Sequence, residues 1–330
     1  MQISLKENIK IKKTLTVLSL IASLLSLFVV FISDFILPIP AALLAIICLI
    51  ERGGKRWCML TVSAVALISN VVSVFLFDGF VLGGFEIVLF ASVITYCFSS
   101  NVPKAETAFA LTGVAAVFVV LNAILFAMSY SGVYNFDAVS SFYTELYELV
   151  KDEILTSFAS MNSALSEAGE TAIVSSEQIV AILDSAVSLL ISFIAIGAFI
   201  VAGVTLKFFS FLAYRLTGNV EIIYKWRFKP SSLFAYFYLL LFVLAIFVSS
   251  ASSLFGICVA NLSNIFCVVF AYVGFNFALA LLSMKRSVAF SFILLIIGLV
   301  LFSTLMIEVL SVVGAFTVIT GNKSADKSRS

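Results

Sequence analysis

The sequence predicts an all-α fold: a polytopic transmembrane helical bundle of about nine or ten spans, with one amphipathic helix outside the membrane. Three observations carry this. Apolar residues make up 62% of the 330 residues and charged ones only 11%, with a mean hydropathy of +1.20. Soluble domains run at roughly 45–50% and about 25%. Apolar runs of about 20 residues, the length that crosses a bilayer, recur along the chain. One long interval, residues 129–176, breaks the pattern and carries Asp137, Glu145, Glu148, Asp152, Glu153, Glu167 and Glu170 against Lys151 alone.

The N-terminal membrane half, residues 1–128, contains about five spans. Lys6, Lys10, Lys12 and Lys13 precede an apolar run over 14–32. The positive-inside rule puts this start in the cytoplasm. The run is long for a signal peptide and no small-residue cleavage pattern follows it, so it reads as a retained span. A shorter run over 35–50 begins with Pro38 and Pro40, which a first helical turn tolerates. It ends on the basic link Glu51-Arg52-Gly53-Gly54-Lys55-Arg56. The next spans cover 57–77, 80–98 and 107–128. Asp78-Gly79 marks a turn and Gly83-Gly84 a second break; the polar link 99–106 carries Pro103 and Lys104.

Within the acidic interval, Val139, Phe142, Leu146, Leu149, Ile154, Phe158 and Met161 recur at helical spacing, with Glu145, Glu148 and Asp152 on another face. That predicts an extracytoplasmic amphipathic helix over 137–161, followed by a loop over 162–174. Ser175-Ser176-Glu177-Gln178 reads as a capping box opening the sixth span, 179–206.

The C-terminal membrane half, residues 177–320, holds about four to five spans. Its cytoplasmic segment 207–229 carries Lys207, Arg215, Lys225, Arg227 and Lys229 among aromatic residues, the composition of an interfacial helix. Spans follow over 232–249 and 261–284, with Ser249–Ser253 and Gly256 as the link. The last apolar interval, 287–320, is long for one span. The basic tail (321–330) favours a hairpin near Ser303–Glu308 that returns it to the cytoplasm, over one tilted helix that leaves it outside. Small-residue stripes at Ala41/Ala45, Ala195/Ala198/Ala202 and Gly274/Ala278 are surfaces on which helices approach closely.

The candidate substrate-binding residues are the polar groups inside spans: Asn70, Glu86, Asn122, Asp184 and Glu308. A charge at membrane depth is costly and marks a functional hypothesis. Asn70, Glu86, Asn122 and Asp184 fall in the outer half and Glu308 near the outer turn of the last hairpin, all at similar depth, and two readings stand. They line a polar cavity open to the outside, or they are carboxylates at helix starts, favoured by the dipole, and amides bridging helices. No catalytic residue, metal ligand or cofactor-binding motif is found. There is no His, no P-loop and no HExxH. No Arg-rich helix suggests a voltage sensor, and no carbonyl-filter motif a selective channel. The five Cys lack ligand spacing and read as packing residues. The chain is therefore expected to be no enzyme and to need no cofactor. Its partners are the lipid bilayer and, on the cavity reading, a small-molecule solute; nucleic acid is not among them.

Three stretches carry a family resemblance: Tyr224-Lys225-Trp226-Arg227-Phe228-Lys229-Pro230 entering a span; Asn261-Leu262-Ser263-Asn264-Ile265 through Tyr272-Val273-Gly274; and Val313-Gly314-Ala315-Phe316 before a basic tail. On these the chain resembles the YybS-like family of predicted multi-pass bacterial membrane proteins. It departs from the usual ending at Thr317 and Asn322-Lys323. The family is distantly similar to the S-components of energy-coupling-factor vitamin transporters. That similarity implies a plasma-membrane protein binding a small solute beside coupling and ATPase subunits, though fold alone fixes no function. The competing expectation is a non-transporting scaffold for cell-envelope or division partners.

Overall fold

A computed structural model describes residues 9–32, 37–51, 56–77, 82–167, 175–217, 228–248, 254–284 and 287–327. Among them lie eleven helices: α1 (Ile9–Ile32), α2 (Pro38–Glu51), α3 (Trp57–Phe77), α4 (Gly83–Ser99), α5 (Lys104–Ser131), α6 (Phe136–Glu167), α7 (Ser176–Ser188), α8 (Leu190–Thr217), α9 (Ser232–Phe247), α10 (Leu254–Ser283) and α11 (Val288–Lys327). Among the described residues, four stretches are long and apolar enough to cross a membrane, fewer than the nine or ten expected: Lys104–Ser131, Leu190–Arg215, Leu254–Ser283 and Val288–Gly321. Shorter apolar helices accompany them, and the fold is an all-helical membrane bundle. The chain divides into two compact units, Met1–Val102 with Thr107–Leu190 and Gly197–Ile223, and Pro103–Glu106 with Ile191–Ile196 and Tyr224–Ser330.

In the first unit α2 is the centre. It packs on α1, α3 and α4 and buries Ala41 through Ile47 without interruption. A helix apolar on every side is stable only where every side is covered. Its 14 residues span about 21 Å, well short of a hydrocarbon core of about 30 Å. The break expected at Gly83-Gly84 is instead the first turn of α4. A Cβ on Gly84 would lie 1.7 Å from the Ala66 carbonyl oxygen, so glycine is there to let α4 touch α3, not to end a helix. The far end of α4 closes in a Schellman motif. Val102 N–H bonds to Cys97 O at 2.9 Å and Asn101 N–H to Phe98 O at 3.4 Å, with Asn101 in the left-handed region at φ 56°.

Asn135 caps α6, its Oδ1 accepting from Ala138 N–H at 2.7 Å. The helix runs to Glu167, past the expected end at Met161, because 162–167 contains no Gly or Pro. It docks on α5 through Phe142, whose ring centroid lies 5.8 Å from Phe126 and 5.1 Å from Tyr130. The Tyr143 hydroxyl adds a bond to Ala123 O at 2.8 Å. The capping box at Ser175 forms as expected, with Gln178 as its reciprocal partner. The continuous sixth span does not form. The helix ends at Ser188 and restarts at Leu190, where Leu189 N–H bonds to both Ser185 O and Ala186 O. Serine hydroxyls compete for the carbonyls there, Ser185 Oγ on Ala181 O and Ser188 Oγ on Ser185 O, a pattern that weakens helices. Of the basic segment 207–229, Lys207 and Arg215 extend α8, and 218–227 lies outside the described residues.

In the second unit α9, α10 and α11 pack together around Ala235, Tyr238, Phe270, Ala315, Val318 and Ile319. Tyr238 stacks on Phe270 at 5.1 Å, and its hydroxyl is bonded to Ser311 Oγ at 2.5 Å. Helix α10 starts at Leu254, so Gly256 lies in its first turn, buried, and not in a link. Helix α11 leaves helical geometry at Ser303 (φ 19°, ψ −98°). Helix α10 touches both of its arms: Phe275 meets Phe292 at 5.8 Å, and a Cβ on Gly274 would lie 1.9 Å from Leu310 O. A straight helix holds residues 292 and 310 about 27 Å apart. The chain therefore doubles back at Ser303, as the hairpin reading expects.

Candidate functional site

The first four N–H groups of any helix have no partner inside it. In hydrocarbon no water supplies one, so a helix start within the bundle draws polar side chains to itself. At α4 the N-cap is Leu82, which has no acceptor. Asn122 on α5 supplies it, its Oδ1 accepting from Leu82 N–H at 3.0 Å. Asn70 on α3 does the same for Gly84 N–H at 2.9 Å. Glu86 lies in the same first turn, only 4% exposed, where the helix dipole favours a carboxylate. Three of the five sequence candidates thus converge on one helix start.

The other two lie elsewhere. Asp184 sits on the separate helix α7 and accepts from the Tyr147 hydroxyl on α6. This bond raises the Tyr147 phenol pKa above its ordinary value, with smaller contributions from desolvation and the Asp184 charge. Lys151 completes the cluster, paired with Glu148 at 2.9 Å and 5.6 Å from the Tyr147 ring centroid. The Glu148 bond raises the Lys151 pKa in turn. Glu308 belongs to the second unit, five residues past the break at Ser303. Its side chain is exposed, and its carbonyl accepts from Ser311 Oγ at 2.6 Å.

Two further helix starts use the same device, on residues that composition did not single out as polar candidates. Asn261 caps α8, its Oδ1 accepting from Ser192 N–H at 2.8 Å and from the Ser192 hydroxyl. Glu51 ends α2 and caps α3: Oε1 accepts from Cys58 N–H at 3.1 Å and Oε2 from Met59 N–H at 2.8 Å. The sequence signal for Glu51 was available, an acidic residue in a link otherwise basic, only 7% exposed in the fold.

Glu51 also lines a cleft of about 360 Å³ formed by the end of α2, the start of α3 and the end of α4. Thr95, Tyr96, Ser99 and Ser100 face it from α4 and its cap, and Arg56 stands at the link before α3. Thr95 Oγ1 bonds to Ala91 O at 2.7 Å. Ser99 Oγ is buried with no hydrogen-bond partner among the described residues. Arg56 is exposed, and no ion pair involves it among the described residues. No group of three or more Cys, Asp or Glu placed to hold a metal occurs among the described residues.

Apolar helices of spanning length, packed through glycine contacts and capped by one another's side chains, define a polytopic helical membrane protein. The family model described as "Predicted membrane protein (DUF2232)" matches residues 14–316, and the chain belongs to that family. No curated protein and no solved structure matches it.

Proposed function

We propose that this protein binds a small solute in the plasma membrane, as a subunit similar to the S-components suggested by its YybS-like features, with its N-terminus in the cytoplasm. The observation that carries the reading is the group at the start of α4. A buried carboxylate, Glu86, stands with the amides of Asn70 and Asn122 at the positive end of a helix. A charge kept at membrane depth marks a functional hypothesis, and the lack of any nucleotide motif in the sequence fits a subunit that relies on separate coupling and ATPase subunits. Asp184 belongs to the site only if α6–α7 closes over it; Glu308 lies in the second unit and is not counted in it. The test is a thermal-shift screen of the detergent-solubilised protein across vitamins and metabolites, comparing the native protein with Glu86→Gln and Asp184→Ala. A ligand that shifts the native protein and fails to shift Glu86→Gln supports the site. A ligand that both variants bind unchanged removes it.

One observation favours the scaffold reading. Helix α6 exposes Leu146 and Leu149 beside Glu145, Glu148 and Asp152, a surface suited to an envelope or division partner. Affinity purification from membranes separates the two: co-purifying ATPases favour transport, and envelope-assembly proteins recovered without solute dependence favour the scaffold.

A further inference from the structure

The cleft at the α2–α3 link carries opposite charges that serve different ends. Glu51 is held in its wall, each carboxylate oxygen accepting one N–H of α3. Those bonds fix the carboxylate and leave each oxygen a second lone pair. Arg56 contributes a guanidinium with no ion-pair partner among the described residues. Ser99 and Ser100 line the same cleft, the Ser99 oxygen buried and unbonded among the described residues. A lone anion meets Arg56 but is repelled by Glu51, and a lone cation meets the reverse. A ligand with a cation and an anion a few bonds apart satisfies both.

The position of the cleft narrows the ligand. Tyr96 lines it, 70% exposed, and Trp57, the residue after Arg56, is 71% exposed; exposed Trp and Tyr at helix ends mark the membrane–water interface. The cleft therefore lies at headgroup depth. We infer that it binds an ammonium–phosphate zwitterion, the headgroup of phosphatidylethanolamine, with the phosphate on Arg56 and the ammonium on Glu51. The same chemistry is available from free phosphoethanolamine. The bilayer-facing position favours the lipid, because a guanidinium matches phosphate in a two-bond fork while the acyl chains stay in the hydrocarbon.

Native mass spectrometry of the full-length protein in detergent tests this, with dihexanoyl phosphatidylethanolamine, dihexanoyl phosphatidylglycerol and O-phosphoethanolamine as probes. The expected result is binding of the ethanolamine lipid at least about tenfold tighter than the glycerol lipid, about 1.4 kcal/mol. Glu51→Gln, which keeps one of the two acceptors for α3, abolishes that preference. Arg56→Gln, at an exposed position with no ion pair to lose among the described residues, weakens both lipids by about tenfold. Tighter binding of O-phosphoethanolamine than of the lipid assigns the site to the free compound. Equal binding of the two lipids, or an unchanged ethanolamine-lipid affinity in Arg56→Gln, overturns the inference.

Discussion

Replacing Gly274 by alanine is expected to force α10 and α11 apart. The added Cβ would stand 1.9 Å from the Leu310 carbonyl oxygen and 2.8 Å from its carbon, where ordinary contact begins at 3.4 Å. Both colliding atoms are backbone, so no rotamer relieves the clash and the helices must part by about 1.5 Å at the crossing. A gap of 0.5–1 Å already forfeits about a quarter to a half of each contact well. The contacts at stake include Phe270, Tyr238 and Ala315, all fully buried. Overpacking typically costs about 1–3 kcal/mol, and the upper end, about 3 kcal/mol, applies where backbone meets backbone. At roughly 2–4 °C per kcal/mol, the melting temperature should fall by about 6–12 °C.

The control is in the same protein. Gly113 and Gly203 have nothing within 4 Å of a Cβ, and alanine in a helix interior is favoured over glycine by about 0.5–1 kcal/mol. One substitution chemistry should therefore act with opposite signs at Gly274 and Gly113 in a thermal melt of the detergent-solubilised protein. Gly314→Ala should behave like Gly274→Ala, since its Cβ would lie 2.0 Å from Phe270 O and 2.7 Å from Gly274 N. The double variant should cost less than the two single costs together, because one separation relieves both clashes. If Gly274→Ala melts with Gly113→Ala at or above the native protein, the close-crossing argument is wrong.

Asn261→Ala should cost about 1–3 kcal/mol by stranding Ser192 N–H, with faster hydrogen exchange confined to the start of α8; uniform exchange along α8 would count against a capping role. The raised Tyr147 phenol predicts a pH dependence. The folded state holds that proton more tightly than the unfolded chain, so its stabilisation is complete below the unfolded value near 10 and is lost as pH rises through the raised folded value. Cross-linking between α6 and α7 should drop above about pH 10 in the native protein and show no such step in Tyr147→Phe. In a background lacking the five native cysteines, a cysteine near Glu148 should react with an impermeant reagent from outside and one near Lys225 only from inside; the reverse pattern inverts the proposed orientation.

The helices were legible because hydropathy is a local signal: most of the expected apolar runs are helices among the described residues, but only four stretches, against the nine or ten spans expected, are long and apolar enough to cross a membrane. The errors fall where a distant partner decides. Gly83-Gly84 looks like a break along the chain, and only the Ala66 carbonyl pressed against it shows why glycine suits a helix there. The run 179–206 is apolar enough to be one helix. It divides because serine hydroxyls loosen the end of α7 and Asn261, 69 residues away, caps the new start at Leu190 by accepting from Ser192 N–H. The cleft at Glu51 was invisible for the same reason: its walls come from the ends of three helices, and Thr95 and Ser99 carry no pattern that marks them.

The trans-caps also change what a polar residue inside a span signifies. Helices α3, α4 and α8 each receive an acceptor at their start from another helix: Glu51, Asn70 with Asn122, and Asn261. An unsatisfied N–H in hydrocarbon costs several kcal/mol, enough to retain such side chains with no ligand involved. Depth in the membrane is then a poor criterion for a site, and a better one is what the side chain bonds to. By that criterion the acceptors of Asn122 and Asn261 belong to the architecture. Glu86 differs in kind, a buried carboxyl group in the first turn of α4 and not an amide, and the solute reading turns on it. Arg56 is distinct in the other direction, a guanidinium lining the cleft with no ion-pair partner among the described residues. Variants at Glu86 and Arg56 therefore separate ligand chemistry from helix capping, which variants at the asparagines cannot do.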